Sequence, residues 1–219
     1  MCSDNRLDSP DALMLLGTHC PHCPAVLQGL SELLKSGELG SLKVVNIEQR
    51  PEIAKELGVR SVPWVRIGLF ELAGLHTRAE YRRWAQRVGT KAGLAAYLNE
   101  LLAAGKIDPV VTLLAKDHSH FVALLVLLTD PDTKLNVRVG IGAVMEYLQA
   151  GELLQSMVMP LGELTRHTDA RVRSDACHYL GLSGSQKALP FIRPLLDDPS
   201  DEVKEIAQDT LELLGAPGA

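Results

Sequence analysis

An α/β domain followed by an all-α domain is the fold class this sequence predicts, and three observations predict it. Strand-like and helix-like segments alternate over about the first ninety residues. From Gly93 onward no segment reads as a strand. In that second part an apolar helix end, an Asp-bearing turn and a Val between polar residues recur three times. A chain of 219 residues holds two such domains comfortably, each able to bury its own core.

The first half builds up in order. Ala12 to Gly17 is a short apolar run with no polar interruption, as a buried strand should be. Pro24 to Lys35 then places Val26, Leu27, Leu30, Leu33 and Leu34 at helical spacing. Leu42 to Ile47 is a second strand with β-branched residues, and Pro51 to Leu57 a short helix closed by Gly58. Val65 to Phe70 reads as the third strand, from which Glu71 to Ala73 returns antiparallel. Thr77-Arg78-Ala79-Glu80 has the capping-box pattern, so a helix starts at Thr77 and runs through Arg87.

In the second half the three breaks can be quoted. Leu127-Leu128-Thr129-Asp130-Pro131 precedes Asn136-Val137-Arg138. Leu164-Thr165-Arg166-His167-Thr168-Asp169 precedes Arg171-Val172-Arg173, and Leu195-Leu196-Asp197-Asp198-Pro199 precedes Glu202-Val203-Lys204. Val137 and Val172 are 35 positions apart, Val172 and Val203 31. That irregular period marks stacked two-helix units, each of which needs its neighbours to complete a core. These residues resemble HEAT-type repeats, most clearly over Pro160 to Leu214, with a weaker unit around His120 to Leu148 whose turn is longer. The resemblance implies an α-solenoid that binds a protein partner. The join is expected near residue 105, where Gly105-Lys106-Ile107-Asp108-Pro109 breaks a helix; this gives domains 1–105 and 106–219.

Composition narrows the function classes. Lys+Arg number 22 against 27 Asp+Glu, a net charge of −5 with no general attraction for a phosphate backbone, so nucleic acid is not an expected partner. The longest apolar stretch, Phe121 to Leu128, is too short to span a bilayer, so no membrane partner is expected either. The first residues carry no basic segment followed by an apolar run. A chain complete at its start is therefore expected in the cytoplasm, where a structural disulfide framework is disfavoured.

Of the four cysteines only Cys20 and Cys23 are close in sequence. No second Cys-x-x-Cys completes a tetrahedral zinc site, and no cofactor is expected. A Cys-x-x-Cys between a strand and a helix reads as a redox motif. Two intervening residues bring both sulfurs within disulfide reach. The helix N-terminus favours a thiolate on the first and leaves the second, more enclosed, to resolve a mixed disulfide. Cys20 is thus the expected attacking thiol and Cys23 the resolving one. Cys2 and Cys177 read as incidental, the latter as a buried small hydrophobe on a repeat helix with Val172, Ala176 and Leu180. His118, His120, His167 and His178 lack metal-site spacing, and Arg166, Arg171 and Arg173 read as a solvated repeat edge open to an acidic partner.

Residues 10 to 88 resemble a thioredoxin-fold domain, on Cys20-Pro21-His22-Cys23, Asn46-Ile47-Glu48-Gln49-Arg50-Pro51, Leu57-Gly58-Val59-Arg60-Ser61-Val62-Pro63, Gly74 and the order β-α-β-α-β-β-α. The whole chain is accordingly expected to be a thioredoxin-like domain followed by HEAT-like helical repeats. The resemblance implies thiol–disulfide exchange with protein disulfides and a cis Val62-Pro63 bond facing the dithiol across a substrate groove. Trp64 is then either a wall of that groove or a packed aromatic. The tetrad is that of DsbA-type thiol oxidases and, with Pro24, is close to glutaredoxin-like domains of archaeal disulfide oxidoreductases. His22 either donates to the Cys20 thiolate or adds positive charge, and both make the disulfide more oxidising. The buried acid and the lysine of thioredoxins are replaced here by Met14 and Val44, which leaves water, His19 or His22 to take the proton of the resolving thiol. Two other readings stay open: a thioredoxin-like adaptor whose dithiol is idle or senses redox state, and an iron–sulfur cluster or zinc shared across a dimer.

Overall fold

The computed structural model describes residues 9–215. Cys2, expected to be incidental, lies outside them. The chain forms two compact units that divide between Tyr97 and Leu98. That division falls within a helix, ahead of the Gly105 break at which the sequence suggests the join.

The first unit follows the expected order: β1 (Ala12–Leu16), α1 (Cys23–Lys35), β2 (Leu42–Asn46), α2 (Pro51–Glu56), β3 (Trp64–Ile67), β4 (Phe70–Ala73), α3 (Arg78–Arg87) and α4 (Lys91–Ala103). The sheet order is β2-β1-β3-β4. β1 pairs parallel with β2 and antiparallel with β3, and β4 closes the sheet antiparallel to β3. Strand alternation sends Met14, Val65, Ile67, Phe70 and Leu72 to one face, all of them buried. There the Phe70 ring lies 4.9 Å from that of Trp84 on α3 and 5.1 Å from that of Tyr97 on α4. On the other face Leu15, Val45 and Trp64 pack with Ala54 of α2 in a smaller core. Each large apolar side chain enclosed in this way contributes about 1.5–3 kcal/mol.

Two local details differ from the sequence expectation. The third strand does not run to Phe70: it stops at Ile67, and Phe70 begins β4. Gly68 has φ +57°, and a Cβ on it would sit 2.8 Å from Val88 Cγ1, so the hairpin turns at the residue that can turn there. Val44, in an apolar run, is 40 % exposed because β2 is the sheet edge. The capping box, by contrast, forms as read. Thr77 Oγ1 accepts from the Glu80 amide at 3.3 Å while Glu80 Oε2 accepts from the Thr77 amide at 2.7 Å.

In the second unit all regular structure among the described residues is helical. After α5 (Ile107–Lys116) come three helix pairs. The first is α6 (Phe121–Thr129) with α7 (Leu135–Tyr147). After the short α8 (Glu152–Ser156), the second pairs α9 (Val158–Leu164) with α10 (Ala170–Leu182). The third pairs α11 (Leu189–Ile192), extended by a 3-10 turn over Arg193–Asp197, with α12 (Asp201–Leu213). The second helices carry the recurrent core, Val137 and Ile141, Val172 and Ala176, Val203 and Ala207, all fully buried. Cys177 is buried beside them, 3.8 Å from Thr210 Oγ1, and burial pushes its thiol up to about 11.

The three Asp-bearing turns share one geometry. Asp130, Asp169 and Asp198 each accept, through Oδ1, the backbone amide two residues on, at 2.9 Å in every case. Arg171 and Arg173 are not the solvated edge expected from sequence. Arg173 grips Asp198 with two bonds of 2.7 Å and also donates to the His167 and Thr168 carbonyls. Arg171 donates to the Leu128 carbonyl at 3.1 Å and faces Asp169 and Asp175. Only Arg166 of the three is left exposed. The two guanidiniums tie successive repeats together, so their charge is spent inside the unit.

Candidate functional site

β1 ends at Leu16 and α1 begins at Cys23, so the dithiol occupies the strand-to-helix connection. Cys20 stands in the turn ahead of the helix, and Cys23 is its first residue. Backbone bonds tighten this connection: the Cys20 amide donates to Gly17 O at 3.3 Å, the Cys23 amide to Cys20 O at 3.4 Å. With their Cα atoms 5.5 Å apart, the two cysteines are joined as a disulfide. Their surroundings differ. Cys20 is half-buried, Cys23 is 3 % exposed, and Pro21 and His22 between them are open to solvent, as is His19. One sulfur is within reach of a partner and the other is enclosed.

The Val62-Pro63 bond is cis. Pro63 is buried and its carbonyl accepts the Gly74 amide at 2.9 Å, which ties it to the residue that leaves β4. Val62 is half-buried and meets the dithiol connection, since a Cβ on Gly17 would lie 3.4 Å from Val62 Cγ2. Trp64 takes the second of its two sequence readings. It is 5 % exposed, packed on Leu15, Val45 and Ala54, with the Arg66 guanidinium 6.0 Å above its ring. Beside the first turns of α1, an open groove does run against the link from β4 to α3. Ala25, Gln28 and Glu32 line one side of it, Leu75, His76 and Arg78 the other.

Met14 is fully buried and pairs in register with Val44, so no acid or lysine lies beneath the dithiol at these two positions. The carboxylate that does reach the dithiol connection comes from Glu48, to which the sequence reading assigned no role. Its Oε1 accepts the Thr18 amide at 2.7 Å. Asn46 completes a small network: its Nδ2 donates to Thr18 Oγ1 at 3.0 Å and its Oδ1 accepts the Glu48 amide at 2.9 Å. Hydrogen bonds from the Thr18 side chain and amide hold the Glu48 carboxyl below its ordinary range, with smaller help from His19. A signal for Glu48 was available in the sequence. β1 and β2 are parallel, so both strands end at the same edge of the sheet, and a polar pair at the end of β2 comes level with the loop after β1.

Among the described residues no group of three or more His, Cys, Asp or Glu side chains could hold a metal ion, and no helix is long and apolar enough to cross a membrane.

A mixed four-stranded sheet with a Cys-x-x-Cys ahead of its first helix and a cis-proline ahead of β3 defines a thioredoxin-like domain, and stacked helix pairs with equivalent Asp turns define a helical-repeat unit. Comparison with protein families agrees. Residues 12–86 match the thioredoxin domain and residues 121–212 match HEAT repeats. No curated protein matches the chain. The chain is therefore a thioredoxin-like α/β domain followed by HEAT repeats.

Proposed function

We propose that the chain is a cytoplasmic thiol–disulfide oxidoreductase acting on protein disulfides, with its repeats recruiting the protein partner. One observation carries the reading: the paired cysteines at the head of α1 have one accessible member and one enclosed member. In the reduced form the Cys20 thiolate attacks a client disulfide, so that one client sulfur bonds to Cys20 and the other leaves as a thiolate. Cys23, once deprotonated, attacks Cys20 and expels the first client sulfur. The dithiol loses two electrons and two protons, and the client disulfide gains both. Val62 and Pro63 form the floor against which the client chain lies, and His22, exposed between the two cysteines, stabilises the Cys20 thiolate by donation or by charge. Trp64, next in the chain and packed with Val62, completes this substrate-binding segment. The redox domain ends near Gly105, after α4, and the repeats follow.

The direct test is insulin-disulfide reduction. Cys20→Ser is expected to abolish it, and retained activity would place the chemistry elsewhere. Cys23→Ser is expected to accumulate mixed disulfides with specific client proteins.

A second reading, a non-catalytic or redox-sensing adaptor, has its own supporting observation. Leu135, Val139 and Tyr147, spaced four or eight residues apart along α7, are 72 %, 65 % and 69 % exposed. Such an apolar ridge suits a protein partner. If Cys23→Ser traps nothing while thiol-independent partners still co-purify, the adaptor reading takes the place of the enzyme.

A further inference from the structure

The Cys20 connection needs something to hold it. It is a short loop beyond the end of β1, its backbone bonds to itself are 3.3 and 3.4 Å long, and Met14 stands where thioredoxins bury an acid. The shortest bond it makes to another element runs to Glu48, in the link between β2 and α2. The fit there is close. A Cβ on Gly17 would sit 3.2 Å from Glu48 Oε1, a contact that only a small shift of the carboxylate would relieve, so the loop backbone passes close to it. Strand pairing carries the two segments to the same place, because the Ile47 amide donates to Leu16 O at 2.9 Å just before both leave the sheet.

We propose that Glu48 is a positioning residue for the dithiol, fixing the Gly17–Cys20 connection through the Thr18 amide and placing a negative charge on that connection, two residues ahead of the attacking thiol. The inference rests on the oxidoreductase reading for its catalytic consequence, but not for its electrostatic one. Two effects follow, and they can be separated. The first is geometric: with its anchor intact, the loop presents Cys20 in one place relative to Val62 and Pro63. The second is electrostatic: a fixed anion near a thiol disfavours the thiolate. It therefore offsets part of what the helix N-terminus and any positive charge on the loop contribute. The charged and titratable groups around Cys20 are few. His19 and His22 lie on its own loop, the Glu48 carboxylate reaches that loop from the β2–α2 link at Thr18, and the segment before β3 carries the exposed Arg60 ahead of the uncharged Val62 and Pro63. Arg50, two residues after Glu48 in sequence, is engaged with Glu52. Glu48 is thus the one acid among these groups, and it is the one held by the loop.

The test uses the full chain as wild type, Glu48→Gln and Glu48→Ala. Two readouts are followed: the pH midpoint of iodoacetamide alkylation of the reduced protein, measured on the peptide bearing Cys20, and kcat and KM for insulin reduction. Glu48→Gln keeps an acceptor for the Thr18 amide but removes the charge. Its alkylation midpoint is expected to fall by about 0.3–1 pH unit, with KM unchanged. Glu48→Ala loses the anchor as well, and kcat/KM is expected to fall about tenfold on top of the same shift. The conservative variant thereby guards against a fold defect, since a merely structural role would leave its pH midpoint alone. The inference is overturned if both variants keep the wild-type midpoint within about 0.1 unit. If the midpoint shifts as expected but wild type reduces no disulfide, the positioning role stands and the oxidoreductase reading fails.

Discussion

At the scale of single residues, the dithiol differs from a thioredoxin's in two places that pull on the same quantity. Pro21 and His22 sit exposed between the cysteines, and His22 can stabilise a Cys20 thiolate by donation or by charge. Below them Met14 is buried where thioredoxins keep an acid. The first change stabilises the reduced form, and a dithiol whose reduced form is stabilised is the stronger oxidant. The expected outcome is a reduction potential more positive than thioredoxin's value of about −270 mV, moving back toward it in His22→Gly. Equilibration with glutathione or a thioredoxin standard reads this directly, and a wild-type value at or below about −270 mV would sink the idea of an oxidising dithiol. The cysteines, Val62-Pro63 and Met14 were legible in the sequence because each occupies a fixed place in a motif. Glu48 was less so, since its role exists only once β2 lies beside β1 and brings its end level with Thr18. Trp64 left two readings open for a similar reason. Which way an aromatic at the start of β3 faces depends on strand phase, and here it shares the face of Leu15 and Val45.

At the scale of elements, those with a local signature were the readable ones. The helix α3 shows this best, because Thr77 and Glu80 announce its start and both halves of the reciprocal cap form. Thr77→Ala is expected to remove the Oγ1 acceptor and destabilise the first unit by about 1 kcal/mol. Urea unfolding followed by the fluorescence of Trp64 and Trp84, both in the first unit, measures it, and an unchanged midpoint would mean that Glu80 alone holds the turn. Glu80→Gln should cost less than Thr77→Ala, as the amide keeps an acceptor for the Thr77 N–H. What local signals did not give was the exact end of β3. Val65 to Phe70 reads as one strand, whereas Gly68 folds it into a hairpin because Val88 closes over that glycine. The same limit applied to Arg171 and Arg173. Their spacing fits a solvated helix edge, and only the stacking of repeats brings Asp198 and the Leu128 carbonyl within their reach.

At the scale of the whole molecule, a thioredoxin-like domain and a helical-repeat unit on one chain invite a test of whether the two contribute separately. The Arg173–Asp198 pair is the place to apply it. It fastens the second helix pair to the turn of the third, and its side chains are only 11 % and 5 % exposed. Removing one partner of such a pair strands the other charge in a poorly solvated site, so Asp198→Ala is expected to cost about 3 kcal/mol. In a stack where each repeat is stabilised by its neighbours, that loss should fall on α11 and α12 first. The pH dependence has a defined sign. Arg173 holds the Asp198 carboxyl below its ordinary range, so its contribution is complete above the unfolded value of about 3.9 and is lost as pH falls through the lowered folded value. Wild type should therefore lose helical stability in acid with a slope that Asp198→Ala partly lacks, as read by thermal unfolding at 222 nm near neutral pH and in acid. The functional consequence separates the two units. If the repeats select the client and the dithiol does the chemistry, Asp198→Ala should keep insulin reduction at the wild-type rate. In the Cys23→Ser background, the same change should lose the specific mixed disulfides. Equal trapping with and without Asp198 would mean that the thioredoxin-like domain chooses its own clients and that the repeats serve another partner.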